Sequence, residues 1–186
     1  MASFPALEAP RLLTAEEFLQ IDFGPGLKAE LDNGVIRMMA GGTRDHARIQ
    51  GNIVIALGSR LRGSGCRPYG SDMGVRAHDI SLRYPDVTVD CGSPQDGPRD
   101  QYLTNPRVVF EVLSPSTRYS DLRVKKEEYR ALPTIDTIVF VDPDANSLSV
   151  HQRIANGWTE TLFAEQDVVL PSLNLTIPFA EIFSPD

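Results

Sequence analysis

Two spacings of apolar residues divide this chain into helices and strands. In "RDHARIQGNIVIALGSRLRG", Ile49, Ile53, Leu57 and Leu61 recur every four residues, which is one face of an amphipathic helix. Arg60 and Arg62 then precede Gly63, a basic last turn and a glycine stop. A second helix is expected in "SDLRVKKEEYRAL", ended by Pro133. At about 100° per residue, Leu122, Tyr129 and Leu132 fall on one arc and define its buried face. Lys125 falls on the same arc, so this helix aims a lysine inward. Thr14 opens a short helix, with Glu17 three residues later as a capping box.

Strands fill the rest. "KAELDNGVIRMM" places two short strands around Asp32-Asn33-Gly34, a hairpin signal. "CRPYGSDMGVRAHDISLRYPDVTVDC" holds two or three more, and a loop rich in Gly, Pro and Asp spans 92–106. "RVVFEVL" and "TIDTIVFVD" are apolar strands on either side of the second helix. "SLSVHQRI" and "WTETLF" surround Asn156-Gly157 as a hairpin, and "PFAEIF" forms a final turn. Strand, helix and strand in the middle imply a parallel pair, while the hairpins at both ends add antiparallel strands. The class is α/β or α+β: a mixed central sheet flanked by helices, with an N-terminal hairpin and a C-terminal β extension.

Length changes this picture little: 186 residues fit a single domain with an ample core. Hydrophobic content of 41% and charged content of 23% are ordinary for a globular protein. No apolar run is long enough for a membrane span, and "MASFPALEAPRLL" lacks the basic start and apolar stretch of a signal peptide. A cytoplasmic protein without membrane partners is expected. Cys66 and Cys91 are too few for a disulfide framework and form no CxxC pair, so both are expected to be reduced. The net charge of −7 argues against a general nucleic-acid coat protein. It is unevenly spread, with a net of +4 from Arg44 to Arg83 and −7 from Ala131 to Asp186. One part of the surface is thus suited to a polyanion, unless the scatter is chance.

The candidate chemistry lies in two carboxylates and the inward lysine. Glu111 sits among Val108, Val109, Phe110, Val112 and Leu113, in a strand that reads as buried on both faces. A buried carboxylate needs a metal, a cation or a proton; pairing with an arginine is the plain structural alternative. Asp86 follows Pro85 at the start of another strand, a place where Asp also serves merely as a turn residue. Lys125 has its own alternatives, an exposed Asp121–Lys125 pair or outward snorkelling. Together, two carboxylates and a lysine form a sensible set for phosphodiester hydrolysis. Oxygen ligands suit Mg²⁺ or Mn²⁺, and a nearby lysine steadies the attacking water or the developing charge.

"YPDVTV", "VFEVLSPSTRYSDLRVKKEEY" and "FVDP" resemble the PD-(D/E)XK nuclease superfamily. With "AELDNG" and "HARIQGNI" they are more closely similar to its bacterial restriction-endonuclease branch, the Uma-two family. The resemblance covers residues 12–165. It implies a restriction-endonuclease-like core with one divalent-metal site, Mg²⁺ or Mn²⁺, and DNA as substrate. By position, Asp86 and Glu111 match the metal carboxylates, and Glu30 matches an upstream acid that completes the shell. The superfamily's lysine stands two residues after the acid, but here that residue is Leu113. Lys125 matches the lysine of this branch, moved to the following helix. His46 matches a histidine at a helix start, as a cap or a phosphate contact, and Tyr129 packs helix on sheet; with Asp121 these are accessory candidates. Cutting two strands takes two sites, so a symmetric homodimer is expected. Two other readings compete: a catalytically silent nucleic-acid-binding or regulatory module that keeps the fold, and a glycoside hydrolase with paired carboxylates, which the single Trp and the lysine fit poorly.

Overall fold

The computed structural model describes residues 11–92 and 96–185. Residues 1–10 of the N-terminal stretch and residues 93–95 of the 92–106 loop therefore lie outside the described residues. The first helix, α1 (Ala15–Phe18), carries the expected capping box: Glu17 N–H donates to Thr14 Oγ1, and Thr14 N–H donates to the Glu17 carboxylate. Strands β1 (Ala29–Asp32) and β2 (Val35–Met38) follow. Asn33 and Gly34 join them with φ of 48° and 79°, both left-handed as a type I′ turn demands. The long helix α2 (Arg44–Arg60) is capped by Thr43 and ends at Leu61, slightly short of the expected glycine stop.

The middle segment holds four strands rather than two or three. They are β3 (Arg67–Gly70), β4 (Gly74–His78), β5 (Ser81–Arg83) and β6 (Val87–Asp90). The loop beyond them contains a two-residue strand, β7 (Tyr102–Leu103), paired in parallel with β4. Next come β8 (Pro106–Val112), a helical segment, β9 (Thr137–Asp142), β10 (Ser147–Ile154) and β11 (Gly157–Phe163). A small hairpin of β12 (Val168–Leu170) and β13 (Leu175–Ile177) leads to the last helix, Phe179–Phe183.

Two mixed sheets result. One has the order β11-β10-β9-β8-β6-β3 and the other β2-β1-β5-β4-β7. In the larger sheet β8 and β9 are the expected parallel pair. Period-2 alternation along β8 sends Val108, Phe110 and Val112 into a core with Ile49, Ile53 and Leu57 of α2. Val109 and Leu113 face the other way, with Tyr129 and Val75. Glu111 belongs to that second face.

The helix after β8 is not uniform. It opens as α3 (Arg118–Ser120), widens into a π-helical turn over Asp121–Lys125, and continues as α4 (Lys126–Ala131). Such turns are rare and recur at functional sites.

Two expectations are corrected. Cys66 and Cys91 form a disulfide rather than staying reduced. Their sequence spacing gives no sign of this, but the β3–β6 register pairs Arg67 with Asp90, and one step further sets the cysteines opposite each other. The Arg44–Arg83 stretch does not make one basic face either. Arg48, Arg60, Arg76 and Arg83 are taken up by internal ion pairs. Arg44 is exposed at the start of α2, and Arg62 and Arg67 are exposed beyond its far end, about 25 Å away along a helix of this length. No helix among the described residues is long and apolar enough to cross a membrane.

His151 on β10 is buried between Arg130 and Ser149. Arginine only donates, so Nδ1 accepts from Arg130 and the ring is neutral, with Nε2–H donating to Ser149. Burial pushes its pKa down from 6.5 to about 4. Below pH 6.5 the unfolded chain takes up a proton that the folded chain refuses, so acid erodes stability. The slope is at most about 1.4 kcal/mol per pH unit. Urea unfolding from pH 6.5 to about 5 should therefore weaken the wild-type protein more than His151→Gln; parallel pH profiles would remove His151 as the cause.

Candidate active site

The β6–β8 ladder brings the two carboxylates of the sequence pattern together. Val87 pairs with Phe110, and one step further along that register sets Asp86 against Glu111, on the same face. Asp86 Oδ2 accepts the Val112 N–H at 2.7 Å, which ties it across the ladder. His46, in the first turn of α2, places Nε2 at 3.2 Å from that same oxygen. The hydrogen bond to Asp86 holds the His46 pKa above its usual value. Gly42 lies against the imidazole: a Cβ there would stand 2.9 Å from ring atoms of His46, so only glycine leaves the ring where it is.

Glu111 is 3% exposed and receives two donors on one oxygen. Tyr129 Oη donates to Oε1 at 2.7 Å and Lys125 Nζ donates to it at 3.3 Å. Lys125 is itself buried and stands 3.0 Å from Asp121 and 3.6 Å from Glu30 Oε2. The inward lysine expected from the helical arc is therefore present, and so is its i, i+4 partner Asp121, but both are buried rather than exposed. Residues 121 and 125, four apart along the π turn, point to one spot. Leu113, at the superfamily's lysine position, packs in the apolar cluster instead.

Burial pushes the Glu111 carboxyl up to about 8, against the pull of Lys125 and with the help of Asp121 and Asp86. Burial likewise opposes the charge on Lys125, but Glu111, Asp121 and Glu30 outweigh it and keep the lysine protonated. Tyr129 is raised by burial and by Glu111 beside it, and so stays a donor. The cluster holds a fixed cation, a fixed hydroxyl donor and a carboxylate whose ionisation is costly.

Such a set suits a hard divalent cation. Its carboxylates offer oxygen ligands, as Mg²⁺ or Mn²⁺ prefers. Both contacts to Asp86 fall on Oδ2 and both hydrogen bonds to Glu111 fall on Oε1, so Oδ1 and Oε2 are left for a further ligand. Glu30 Oε2 and Asp121 Oδ1 are buried and face the Lys125 ammonium, at 3.6 Å and 3.0 Å, so they hold the lysine and leave Asp86 and Glu111 to offer their free oxygens. Among the described residues no three His, Cys, Asp or Glu side chains form a ready-made cage. The arrangement therefore suits an ion held by two carboxylates that keeps several waters, the usual habit of Mg²⁺. Glu30 stands beside Lys125 rather than in a closed three-carboxylate shell.

The neighbourhood also contains charges that the apolar pattern does not flag. Arg83 is buried between Glu30, Asp32 and Glu128. The available signals are spacings: Asp32 shares the strand face of Glu30 two residues on, and Glu128 lies three residues after Lys125. The single Trp158 stacks under the guanidinium of Arg153, 4.5 Å from its ring centre, which leaves that face closed to a sugar.

The cluster predicts an energetic asymmetry along one helix. Lys125→Met strands Glu111 and Asp121 without their cation and should cost about 3–5 kcal/mol of unfolding free energy. Arg123→Gln, at an exposed position two residues earlier, should cost no more than about 0.5 kcal/mol. Equal losses in urea titrations would contradict a buried, charge-balancing Lys125.

Comparisons with known proteins bear on the same residues. A family model described as Uma2, "Putative restriction endonuclease", matches residues 15–180. Two uncharacterised proteins of Synechocystis sp. are each 29% identical to the chain. One matches over 158 residues, 84% of this chain and 82% of its own, and the other over 148 residues, 78% and 84%. The crystal structure of a "putative nuclease" of DUF820 from Anabaena variabilis has a TM-score of 0.72 and 21% identity, covering 92% of this chain and 98% of that one. At that identity the likeness shows a shared fold.

Proposed function

The chain belongs to the Uma2 family of restriction-endonuclease-like nucleases, and on that footing we propose that it hydrolyses phosphodiester bonds of DNA with Mg²⁺ or Mn²⁺. One observation carries this reading: Lys125 and Tyr129 converge on one oxygen of Glu111, in a strand whose ladder neighbour is Asp86. Asp86 and Glu111 are the carboxylates that would hold the cation, through the oxygens Oδ1 and Oε2 that their hydrogen bonds leave free. Bound there, a divalent cation lowers the pKa of water and neutralises charge gathering on the phosphate.

The protein's own groups do the rest. Tyr129 fixes Glu111 so that its second oxygen faces outward from the hydrogen-bonded pair. Lys125, kept charged by its carboxylate neighbours, orients the attacking water and offsets negative charge developing on phosphorus. Asp121 and Glu30 hold the ammonium in place. His46 steadies Asp86 from the start of α2, with Gly42 against its ring. Cutting both strands takes two such sites, which a symmetric homodimer supplies.

Nicking of supercoiled DNA in Mg²⁺ or Mn²⁺ tests this. The wild-type protein should nick; Glu111→Gln, Asp86→Asn and Lys125→Met should each lose at least about 100-fold, the scale expected when a group that stabilises the transition state is removed. Salt-dependent DNA binding with no cleavage by the wild type in Mn²⁺ would point instead to the silent binding module. Cleavage undiminished in Glu111→Gln and Lys125→Met would place the chemistry elsewhere.

A further inference from the structure

Arg83 ends β5 and is fully buried. The β1–β5 register pairs Leu31 with Leu82, and one step further sets Glu30 opposite Arg83. The guanidinium meets three carboxylates from two directions. On the strand side, Nη1 donates to Glu30 Oε1 at 3.1 Å and Nη2 to Asp32 Oδ1 at 2.6 Å. On the helix side, Nε and Nη2 grip Glu128 side-on, at 2.6 Å and 2.9 Å. Burial opposes its charge, and the three carboxylates more than restore it.

This placement divides Glu30 between two cations. Arg83 takes Oε1, which leaves Oε2, buried and without a hydrogen bond, 3.6 Å from Lys125. Glu128 lies one turn beyond Lys125, so the side-on grip also sets the height and rotation of the helix that carries the lysine. From these contacts we infer that Arg83 is a positioning residue of the site. It holds Glu30 with one oxygen turned to Lys125, and through Glu128 it holds the Lys125 helix against β1 and β5. This rests on the reading of Asp86, Glu111 and Lys125 given above and adds to it a residue that touches neither metal nor substrate.

The chemistry of the clamp requires arginine. A planar guanidinium offers five donors in a fixed fork, whereas lysine is a point charge with three. Lysine at position 83 keeps the charge but cannot grip Glu128 side-on while reaching Glu30 and Asp32. Loss of a group that orients metal-site residues usually costs about 10–100-fold in metal affinity or activity.

The test is Mn²⁺ binding by the full-length protein without DNA, read from the paramagnetic resonance of free Mn²⁺, alongside thermal unfolding. Arg83→Lys and Glu30→Gln should each weaken binding about tenfold or more. Because Arg83 acts in part through Glu30, the Arg83→Lys/Glu30→Gln double variant should lose less affinity than the product of the two single losses. A folded Arg83→Lys protein with a lower melting temperature but wild-type Mn²⁺ affinity would make Arg83 merely structural and overturn the inference, while the site reading stood. Wild-type affinity in Glu30→Gln would overturn the part of the site reading on which the inference rests, and the inference with it. If Arg83→Lys does not fold, Glu128→Gln keeps the guanidinium and loosens only the helix side of the clamp. A several-fold loss of Mn²⁺ affinity is then expected, and unchanged affinity overturns the inference.

Discussion

A lysine ammonium taken out of water is tolerated only while enough negative charge surrounds it, and a buried carboxylate needs the converse. Lys125 and Glu111 meet both conditions at once, with Asp121 and Glu30 completing the ring. The surrounding elements are arranged around that exchange. The β6–β8 ladder delivers Asp86 beside Glu111, the π turn delivers Asp121 and Lys125 together, and the β1–β5 pair delivers Glu30 with Arg83 behind it. Removing any one cation leaves several buried charges unbalanced, which is why the site and the stability of the smaller sheet cannot be separated.

The same electrostatics leaves room for a further cation. Five carboxylates, those of Glu30, Asp32, Glu111, Asp121 and Glu128, share two buried cations, Lys125 and Arg83. Ionising Glu111 is costly, because burial outweighs the attraction of Lys125. A divalent ion at Asp86 and Glu111 would lower that cost and satisfy oxygens that the protein leaves unpaired. His46 occupies the flank of Asp86 and leaves its other oxygen free.

Much of this was legible in residue spacing. The inward lysine followed from an arc shared with Tyr129, and the buried glutamate followed from a charge inside an apolar strand. The parallel β8–β9 pair followed from strand, helix and strand in succession. What spacing does not carry is pairing across the chain. Asp86 meets Glu111, Glu30 meets Arg83 and Cys66 meets Cys91 through strand registers between segments 25 to 53 residues apart. The π turn was equally hidden: a uniform helical wheel gives Lys125 the right direction and sets Asp121 at the edge of the same arc, with nothing to mark the wider turn. Arg83 reads as an ordinary charge next to a tyrosine, and only the β1–β5 pairing turns it inward.

The central claim is that a divalent cation belongs between Asp86 and Glu111 with Lys125 beside it. Anomalous diffraction from crystals soaked in Mn²⁺ tests that most directly. A single strong peak within coordination distance of Asp86 Oδ1 and Glu111 Oε2, with Lys125 still against Glu111 Oε1, is the predicted result. A saturating soak that places Mn²⁺ elsewhere, or leaves this pair without a peak, would contradict it.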